Sequence, residues 1–125
     1  MASASPRILI AEDDASLAGQ LEALLSQRGY PVDRAADGNE ALSKIRSTPP
    51  NLLILDALLP KVSGFQVARL VKFDPNLKKL PILMLTILDQ PADKERGKGV
   101  GVDLYLTKPF SEEDLLAAVK KLAGG

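Results

Sequence analysis

Residues 51–56 read Asn-Leu-Leu-Ile-Leu-Asp, four consecutive apolar residues that run directly into a carboxylate. A short apolar run without polar alternation is typical of a parallel strand that is buried on both faces. Asp56 would then stand at the carboxyl end of that strand. Open α/β sheets bind their ligands in the crevice outside the carboxyl ends of the strands. Asp56 is therefore the first candidate functional residue, although a helix-capping or loop role is about as common for an Asp taken alone.

The composition describes one globular domain and excludes several kinds of chemistry. The chain has 125 residues, 46% of them hydrophobic, which is enough for a substantial core. Its 16 basic and 16 acidic residues give a formal net charge of zero, so no overall field attracts nucleic acid or an anionic membrane. The absence of Cys and His excludes disulfides, thiolate zinc sites and imidazole-dependent triads. No export signal or membrane-spanning run is present, so we expect a cytoplasmic protein with neither nucleic-acid nor membrane partners.

Strand patterns and helical patterns alternate along the chain. Strands are predicted at residues 7–11, 30–35, 51–56, 81–85 and 103–106. Helices are predicted at residues 15–28, 41–45, 65–71 and 111–123, the last with a capping box of Ser111 and Asp114. This alternation predicts an α/β fold, a flavodoxin-like three-layer (βα)5 doubly wound parallel sheet with strand order 2-1-3-4-5. We expect one domain at residues 7–123, a flexible segment at 1–6 and a tail at 124–125.

Polar side chains follow four of the predicted strands, at the point where each strand ends. Glu12, Asp13 and Asp14 come after the first strand, and Thr86 and Lys108 come after the fourth and fifth. In the predicted order the first and third strands are neighbours at the switch point. Glu12 and Asp13 should therefore converge with Asp56 on one crevice. Taken singly, these side chains have plainer interpretations: a solvated turn with Asp14 as a helix cap, an exposed loop lysine and a strand-end hydroxyl.

Three carboxylates gathered at one point repel one another, and a bound cation would relieve that repulsion. Oxygen ligands of this kind, completed by water and substrate phosphate, suit Mg²⁺ better than Ca²⁺. Lys108 would add a second positive charge, and Thr86 a hydroxyl. These groups are what phosphoryl transfer to a carboxylate requires, because cations neutralise the phosphoryl oxygens while Asp56 attacks in line.

The chain resembles the receiver domain of a two-component response regulator and is similar to single-domain, chemotaxis-type regulators. The resemblance covers residues 7–122. It is carried by four stretches: Ile8-Leu9-Ile10-Ala11-Glu12-Asp13-Asp14, Leu53-Ile54-Leu55-Asp56 with Pro60 and Gly64, Met84-Leu85-Thr86, and Tyr105-Leu106-Thr107-Lys108-Pro109-Phe110.

The resemblance implies that Asp56 accepts a phosphoryl group from the phosphohistidine of a sensor histidine kinase or phosphotransfer protein. It also implies that Asp13 and Asp56 hold Mg²⁺ directly, Glu12 through water, and Leu58 through its main-chain carbonyl. Lys108 would pair with the phosphoryl oxygens, and its peptide bond to Pro109 would be cis. Thr86 would move toward the phosphoryl group and let Tyr105 turn inward. The face built from the fourth helix, fifth strand and fifth helix would then change and control an unknown output protein.

Three features depart from the usual family pattern. Ile87 follows Thr86 where the family usually has a small residue, and its β-branched side chain can crowd the phosphoryl pocket or obstruct Thr86. Leu58 and Leu88 cannot hydrogen-bond an attacking water, which predicts a long-lived phosphorylated state. Residues 92–101, where the fourth helix should lie, contain three glycines and no apolar stripe, so we expect a short or mobile helix.

Two other functions remain as alternatives. The first is a pseudo-receiver, a constitutive protein-interaction module that keeps the fold without the phosphorylation. The second is a magnesium phosphatase with an aspartyl nucleophile, which is disfavoured because Leu58 stands where such an enzyme needs a second acid. We therefore predict a signalling module, a monomer or weak dimer, whose only chemistry is Mg²⁺-dependent phosphorylation and dephosphorylation of itself.

Overall fold

The computed structural model describes residues 5–123, so most of the predicted flexible segment and the whole predicted tail lie outside the described residues. Within this range five strands alternate with five helices. In chain order they are β1 (Ile8–Ala11), α1 (Ala15–Gln27), β2 (Val32–Ala35), α2 (Gly38–Ser47), β3 (Leu52–Leu55), α3 (Gly64–Phe73), β4 (Ile82–Thr86), α4 (Pro91–Gly99), β5 (Leu104–Thr107) and α5 (Glu112–Ala123). Each strand ends within two residues of its predicted position.

The five strands form one parallel sheet in the order β2-β1-β3-β4-β5, as predicted from the alternation. Ala11 of β1 lies opposite Leu55 of β3, and Thr86 of β4 lies opposite Thr107 of β5. Because these residues end their strands, the side chains that follow them meet at one edge of the sheet. β2 is at one edge of the sheet and β5 is at the other.

The core lies on both faces of the sheet, which is why the central strands are apolar without alternation. Leu53 and Leu55 of β3 face one cluster of buried side chains, which includes residues of α2 and α3. Leu52 and Ile54 face the second cluster, which includes residues of α1 and α5. All four β3 residues are buried, as expected for a parallel strand covered by helices on both sides. Within residues 5–123, no helix combines the length and apolar character needed to cross a lipid bilayer.

Side-chain caps fix where four of the helices begin, among them α5, where the Asp114 amide donates to the predicted capping residue Ser111 at 3.0 Å. Asp14 accepts hydrogen bonds from the amides of Ser16 and Leu17 at the start of α1, which confirms its predicted role as a cap. Asp37 caps α2 in the same way, accepting from the Glu40 amide at 2.8 Å, and Gly38 is the first residue of that helix. Ser63 caps α3.

α4 is the shortest of the described helices, nine residues with Gly97 as its single buried residue. The predicted lack of an apolar stripe is therefore correct, and so is the prediction of a short helix. The helix starts with Pro91 at a position where Pro is favourable, and the Gln90 amide donates to Asp93 at 3.2 Å. The predicted mobility of this segment stays a prediction.

The carboxyl end of α4 is attached to the rest of the fold at the end of the sheet opposite the acidic residues. Lys72 of α3 donates to the Leu80 carbonyl at 2.7 Å and to the Asp103 carboxylate at 3.1 Å. Gly101, which has a φ of +94°, lies against Lys72, since a Cβ at Gly101 would be 2.7 Å from the Lys72 Cγ. These contacts hold the turn between α4 and β5 against α3.

Candidate functional site

Backbone pairing places the two buried acids next to each other. The Asp56 amide donates to the Ala11 carbonyl at 3.0 Å, and the Glu12 amide donates to the Ala35 carbonyl at 3.0 Å. These bonds continue the parallel ladders one residue beyond β1 and β3. Glu12 and Asp56 are only 5% and 6% exposed, although both are carboxylates. Buried carboxylates are costly unless they are paired, so this edge of the sheet is the first place to look for a function.

Glu12, Asp13 and Asp56 converge as predicted. Each offers a carboxylate oxygen, and these oxygens all lie within 4.8 Å of one another. Lys108 bridges the two buried members, with its Nζ 2.5 Å from Glu12 Oε1 and 2.8 Å from Asp56 Oδ2. One lysine against three carboxylates leaves a formal excess of two negative charges. An Mg²⁺ ion fits this charge, and the donor set consists of oxygens, which Mg²⁺ prefers.

The shared lysine and the burial set the protonation of the cluster. Burial raises the pKa of Glu12, and repulsion from Asp56 adds to it, so that the hydrogen bonds from Lys108 and from the Asp14 amide only partly offset the rise. Burial alone would lower the pKa of Lys108, but its hydrogen bonds to Asp56 and Glu12 outweigh that effect and raise it. Lys108 is therefore a permanent cation in this crevice. Its peptide bond to Pro109 is cis, as predicted.

The loop between β3 and α3 wraps the Asp56 carboxylate and is held by two glycines. The Leu58 amide donates to Asp56 Oδ1 at 2.9 Å. A Cβ at Gly64 would lie 2.0 Å from the Asp56 carbonyl oxygen, and a Cβ at Gly38 would lie 2.0 Å from the Val62 carbonyl oxygen. No side chain fits at either position, so both glycines are part of the site's construction. Sequence reasoning missed this role, although both glycines directly follow helix-capping residues.

Thr86 and Tyr105 contact the same residue, Leu88. The buried Thr86 hydroxyl accepts from the Leu88 amide at 3.4 Å, and the Tyr105 hydroxyl donates to the Leu88 carbonyl at 2.7 Å. The Thr86 carbonyl also accepts from the Lys108 amide at 2.8 Å. Among residues 5–123 no hydrogen bond joins Thr86 to Asp56, so the predicted movement of Thr86 toward the phosphoryl group stays a prediction. Burial raises the pKa of Tyr105, with a further contribution from Asp93, so its hydroxyl stays a donor.

Two of the three departures from the family pattern have a visible structural setting. Ile87 is 61% exposed, so in this structure most of its side chain faces solvent instead of being buried in the crevice. Gly97 of α4 lies against Tyr105, because a Cβ there would be 3.1 Å and 3.2 Å from two atoms of the Tyr105 ring. The glycine that weakens α4 thus also makes room for the Tyr105 ring.

Comparisons with known proteins agree with this geometry. The protein PilG from Pseudomonas aeruginosa is 40% identical over 114 residues, which cover 91% of this chain and 84% of PilG. The transcriptional regulator RpaA from Synechocystis is 42% identical over 94% of this chain, but the match spans only 48% of RpaA, so this chain has about half the length of such regulators.

Among solved structures, one relative bears directly on the acidic cluster. The receiver domain of the sensor histidine kinase PA1611 from Pseudomonas aeruginosa superimposes with a TM-score of 0.88 at 29% identity, covering 98% of this chain and all of that one. That protein has a magnesium ion coordinated in its active-site cleft. Residues 8–120 of the present chain match the family described as response regulator receiver domain. The chain belongs to this family of receiver domains.

Proposed function

We propose that Asp56 accepts a phosphoryl group from the phosphohistidine of a sensor histidine kinase or phosphotransfer protein. The observation that carries this proposal is the position of the Asp56 carboxylate, which is buried beside two other acids and held by Lys108 and the Leu58 amide. Receiver domains are signalling modules that interact with histidine kinases. In the transfer, an Asp56 oxygen bonds to phosphorus while the phosphorus–nitrogen bond breaks and its electrons return to the imidazole.

Four protein groups would hold Mg²⁺ at this site. Asp13 and Asp56 bind it directly, Glu12 binds through a water, and Leu58 contributes its main-chain carbonyl. When bound, the ion supplies positive charge opposite the phosphoryl oxygens. The protein's own contribution is Lys108, which exchanges one carboxylate partner for a phosphoryl oxygen. Because Lys108 contacts both Glu12 and Asp56, it can keep one of them while pairing with the incoming group.

The signal would leave the site through Leu88. If Thr86 turns toward the phosphoryl group, its hydroxyl loses the hydrogen bond from the Leu88 amide, which is long at 3.4 Å. Movement of Leu88 then moves the carbonyl to which Tyr105 donates. Tyr105 lies against Gly97, so the change reaches the face formed by α4, β5 and α5. This face would control the output partner.

The phosphorylated state should be long-lived. Hydrolysis needs a water positioned for attack on phosphorus, and the nearby Leu58, Ile87 and Leu88 side chains offer it no hydrogen bond. Leu58, whose amide donates to the Asp56 carboxylate, is 48% exposed, so its side chain can shield the acyl phosphate from solvent at the open side of the crevice. A half-life as short as that of a fast chemotaxis regulator would contradict this part of the proposal.

The experiment is intact-protein mass spectrometry after incubation with acetyl phosphate, with and without Mg²⁺. We expect one added phosphoryl group that requires both Mg²⁺ and Asp56. Asp56→Ala should remove the adduct, whereas Asp89→Asn, a change at an exposed acid outside the cluster, should leave it intact. An adduct that survives in Asp56→Ala would refute the assignment of the acceptor.

The second candidate is a constitutive interaction module, a pseudo-receiver that is not phosphorylated. It is favoured by Ile87 beside Thr86, which can obstruct the movement of that residue. The same experiment separates the two candidates. If Mg²⁺ raises the melting temperature but no adduct forms, the acidic cluster binds the ion without accepting the phosphoryl group, and the constitutive module becomes the better description.

A further inference from the structure

A groove of about 380 Å³ runs between α3 and α4. We call it the α3–α4 groove; its lining includes Phe65, Arg69, Leu70, Arg96 and Val100. No carboxylate contributes to the lining among the residues that the structure describes. The groove is therefore locally cationic, although the whole chain is formally neutral.

Each of the two arginines lies on an aromatic ring rather than on an acid. The Arg96 guanidinium is 4.3 Å from the centroid of the Phe65 ring, and that of Arg69 is 5.5 Å from the centroid of Phe73. Within residues 5–123 neither arginine forms an ion pair. Stacking orients the guanidinium plane and leaves its N–H edges available for a carboxylate, which arginine binds in a bidentate manner.

Apolar side chains lie beside these charges. Leu70 is 41% exposed and Phe73 is 76% exposed, and they are two of the four large hydrophobic residues exposed among residues 5–123. Exposed apolar groups next to oriented arginines are typical of protein interfaces, where aromatic residues and arginine are enriched. The other two, Leu58 and Ile87, belong to the candidate phosphorylation site.

We propose that the α3–α4 groove binds an acidic segment of a partner protein, with carboxylates on Arg69 and Arg96 and an apolar side chain on Leu70 in the groove and on Phe73 beside Arg69. The two arginines favour an acidic ligand by charge complementarity. The apolar contacts favour a polypeptide. A nucleic acid is disfavoured, because affinity for a phosphate backbone grows with the number of cations and only two line the groove. The groove shares α4 with the face that Tyr105 reaches, and the binding proposed here is that of the unphosphorylated protein.

The test is an NMR titration of the isotope-labelled protein with a short synthetic peptide that has glutamates around a central Leu-Phe pair. We expect saturable chemical-shift changes concentrated in α3 and α4. The affinity should fall about tenfold or more when the glutamates of the peptide are replaced by glutamines. It should fall by a similar factor when Leu-Phe is replaced by Ala-Ala. A tenfold fall corresponds to a loss of about 1.4 kcal/mol of binding free energy.

Charge reversal in the protein provides the matched comparison. The double variant Arg69→Glu and Arg96→Glu should lose the binding, while Arg28→Glu, at an exposed arginine that follows α1, should retain it. Leu70→Ser keeps both charges and should weaken binding. Because these side chains are exposed, the fold should persist, which circular dichroism of each variant checks.

Three results would overturn the proposal. The first is the absence of saturable shifts, or shifts that the double charge reversal leaves unchanged. The second is tighter binding of a single-stranded oligonucleotide at the same residues, which would make the ligand a nucleic acid. The third is a change of the α3 and α4 signals on dilution without peptide, which would make a second copy of this chain the occupant.

Discussion

Gly97→Ala should be nearly neutral for stability, although alanine is the better helix former. Inside a helix, alanine is favoured over glycine by about 0.8–1 kcal/mol. At Gly97 the new Cβ would lie 3.1 Å from an atom of the Tyr105 ring, so the ring must move by a few tenths of an ångström. That movement strains the 2.7 Å hydrogen bond from Tyr105 to the Leu88 carbonyl, whose loss costs about 0.5–1.5 kcal/mol. The two effects cancel to within roughly 0.5 kcal/mol.

Gly99→Ala is the matched control. Gly99 is in the same helix, and a Cβ there would meet no atom within 4 Å, so this variant should keep most of the gain in helix propensity. The assay is urea unfolding at equilibrium, with the slope of the transition checked to be the same for each variant. In a Tyr105→Ala background the obstacle is gone, and Gly97→Ala should then stabilise α4 as Gly99→Ala does.

The coupling between positions 97 and 105 in this double-mutant cycle should be about 1 kcal/mol. If Gly97→Ala stabilises the otherwise unchanged protein as much as Gly99→Ala, the ring and the helix are not in close contact, and the reasoning is wrong. A coupling free energy near zero would have the same meaning.

Three further predictions concern the acidic cluster and its surroundings. Without Mg²⁺, Asp13→Asn should raise the free energy of unfolding by up to about 1 kcal/mol, because it removes repulsion between carboxylates at an exposed position. With Mg²⁺, the same variant should lose most of the rise in melting temperature that the ion gives the unchanged protein. Gly64→Ala should destabilise by about 1–3 kcal/mol and slow phosphorylation by acetyl phosphate, since its Cβ would meet the Asp56 carbonyl oxygen, whereas Gly19→Ala, with its nearest contact at 3.8 Å, should not. Tyr105 has a raised pKa in the folded protein, so its contribution to the free energy of unfolding is complete below about pH 10 and is lost as the pH rises through the pKa of the folded state. Tyr105→Phe has no hydroxyl to ionise, so its free energy of unfolding should not fall in this way when unfolding curves are measured at high pH.

The fold and the acidic cluster could be predicted from sequence because both follow from the ends of apolar runs. The run before Asp56 is buried on both faces, and the pairing of β1 with β3 brings Glu12 beside it. Strand order and the parallel arrangement then fix which side chains share an edge. Lys108 is 52 residues away from Asp56 in the sequence, yet it was predictable because it also follows a strand of the same sheet.

Close contacts between backbone segments were not predictable in this way. Counting glycines in α4 indicated a weak helix, but the contact between Gly97 and Tyr105 depends on how closely α4 lies on β5. Gly38 and Gly64 similarly contact carbonyl oxygens of a loop whose path no periodicity describes. The exposure of Ile87 depends on a side-chain rotamer, and the residue type alone indicated only that it could crowd the crevice.

The attachment of α4 at its carboxyl end determines what kind of motion this helix can make. Lys72, Asp103 and Gly101 hold the turn that follows the helix, whereas Gly97 is the single residue that α4 buries. The helix can therefore rotate about its carboxyl end, which lies at the end of the sheet opposite the acidic cluster. Nine residues extend about 13 Å, so a rotation of about 10° about the carboxyl end moves the start of the helix by about 2 Å. The largest displacement would fall at Pro91, where the helix begins, shortly after Leu88 in the chain. A small rotation would therefore change how well a partner fits against this end of the helix.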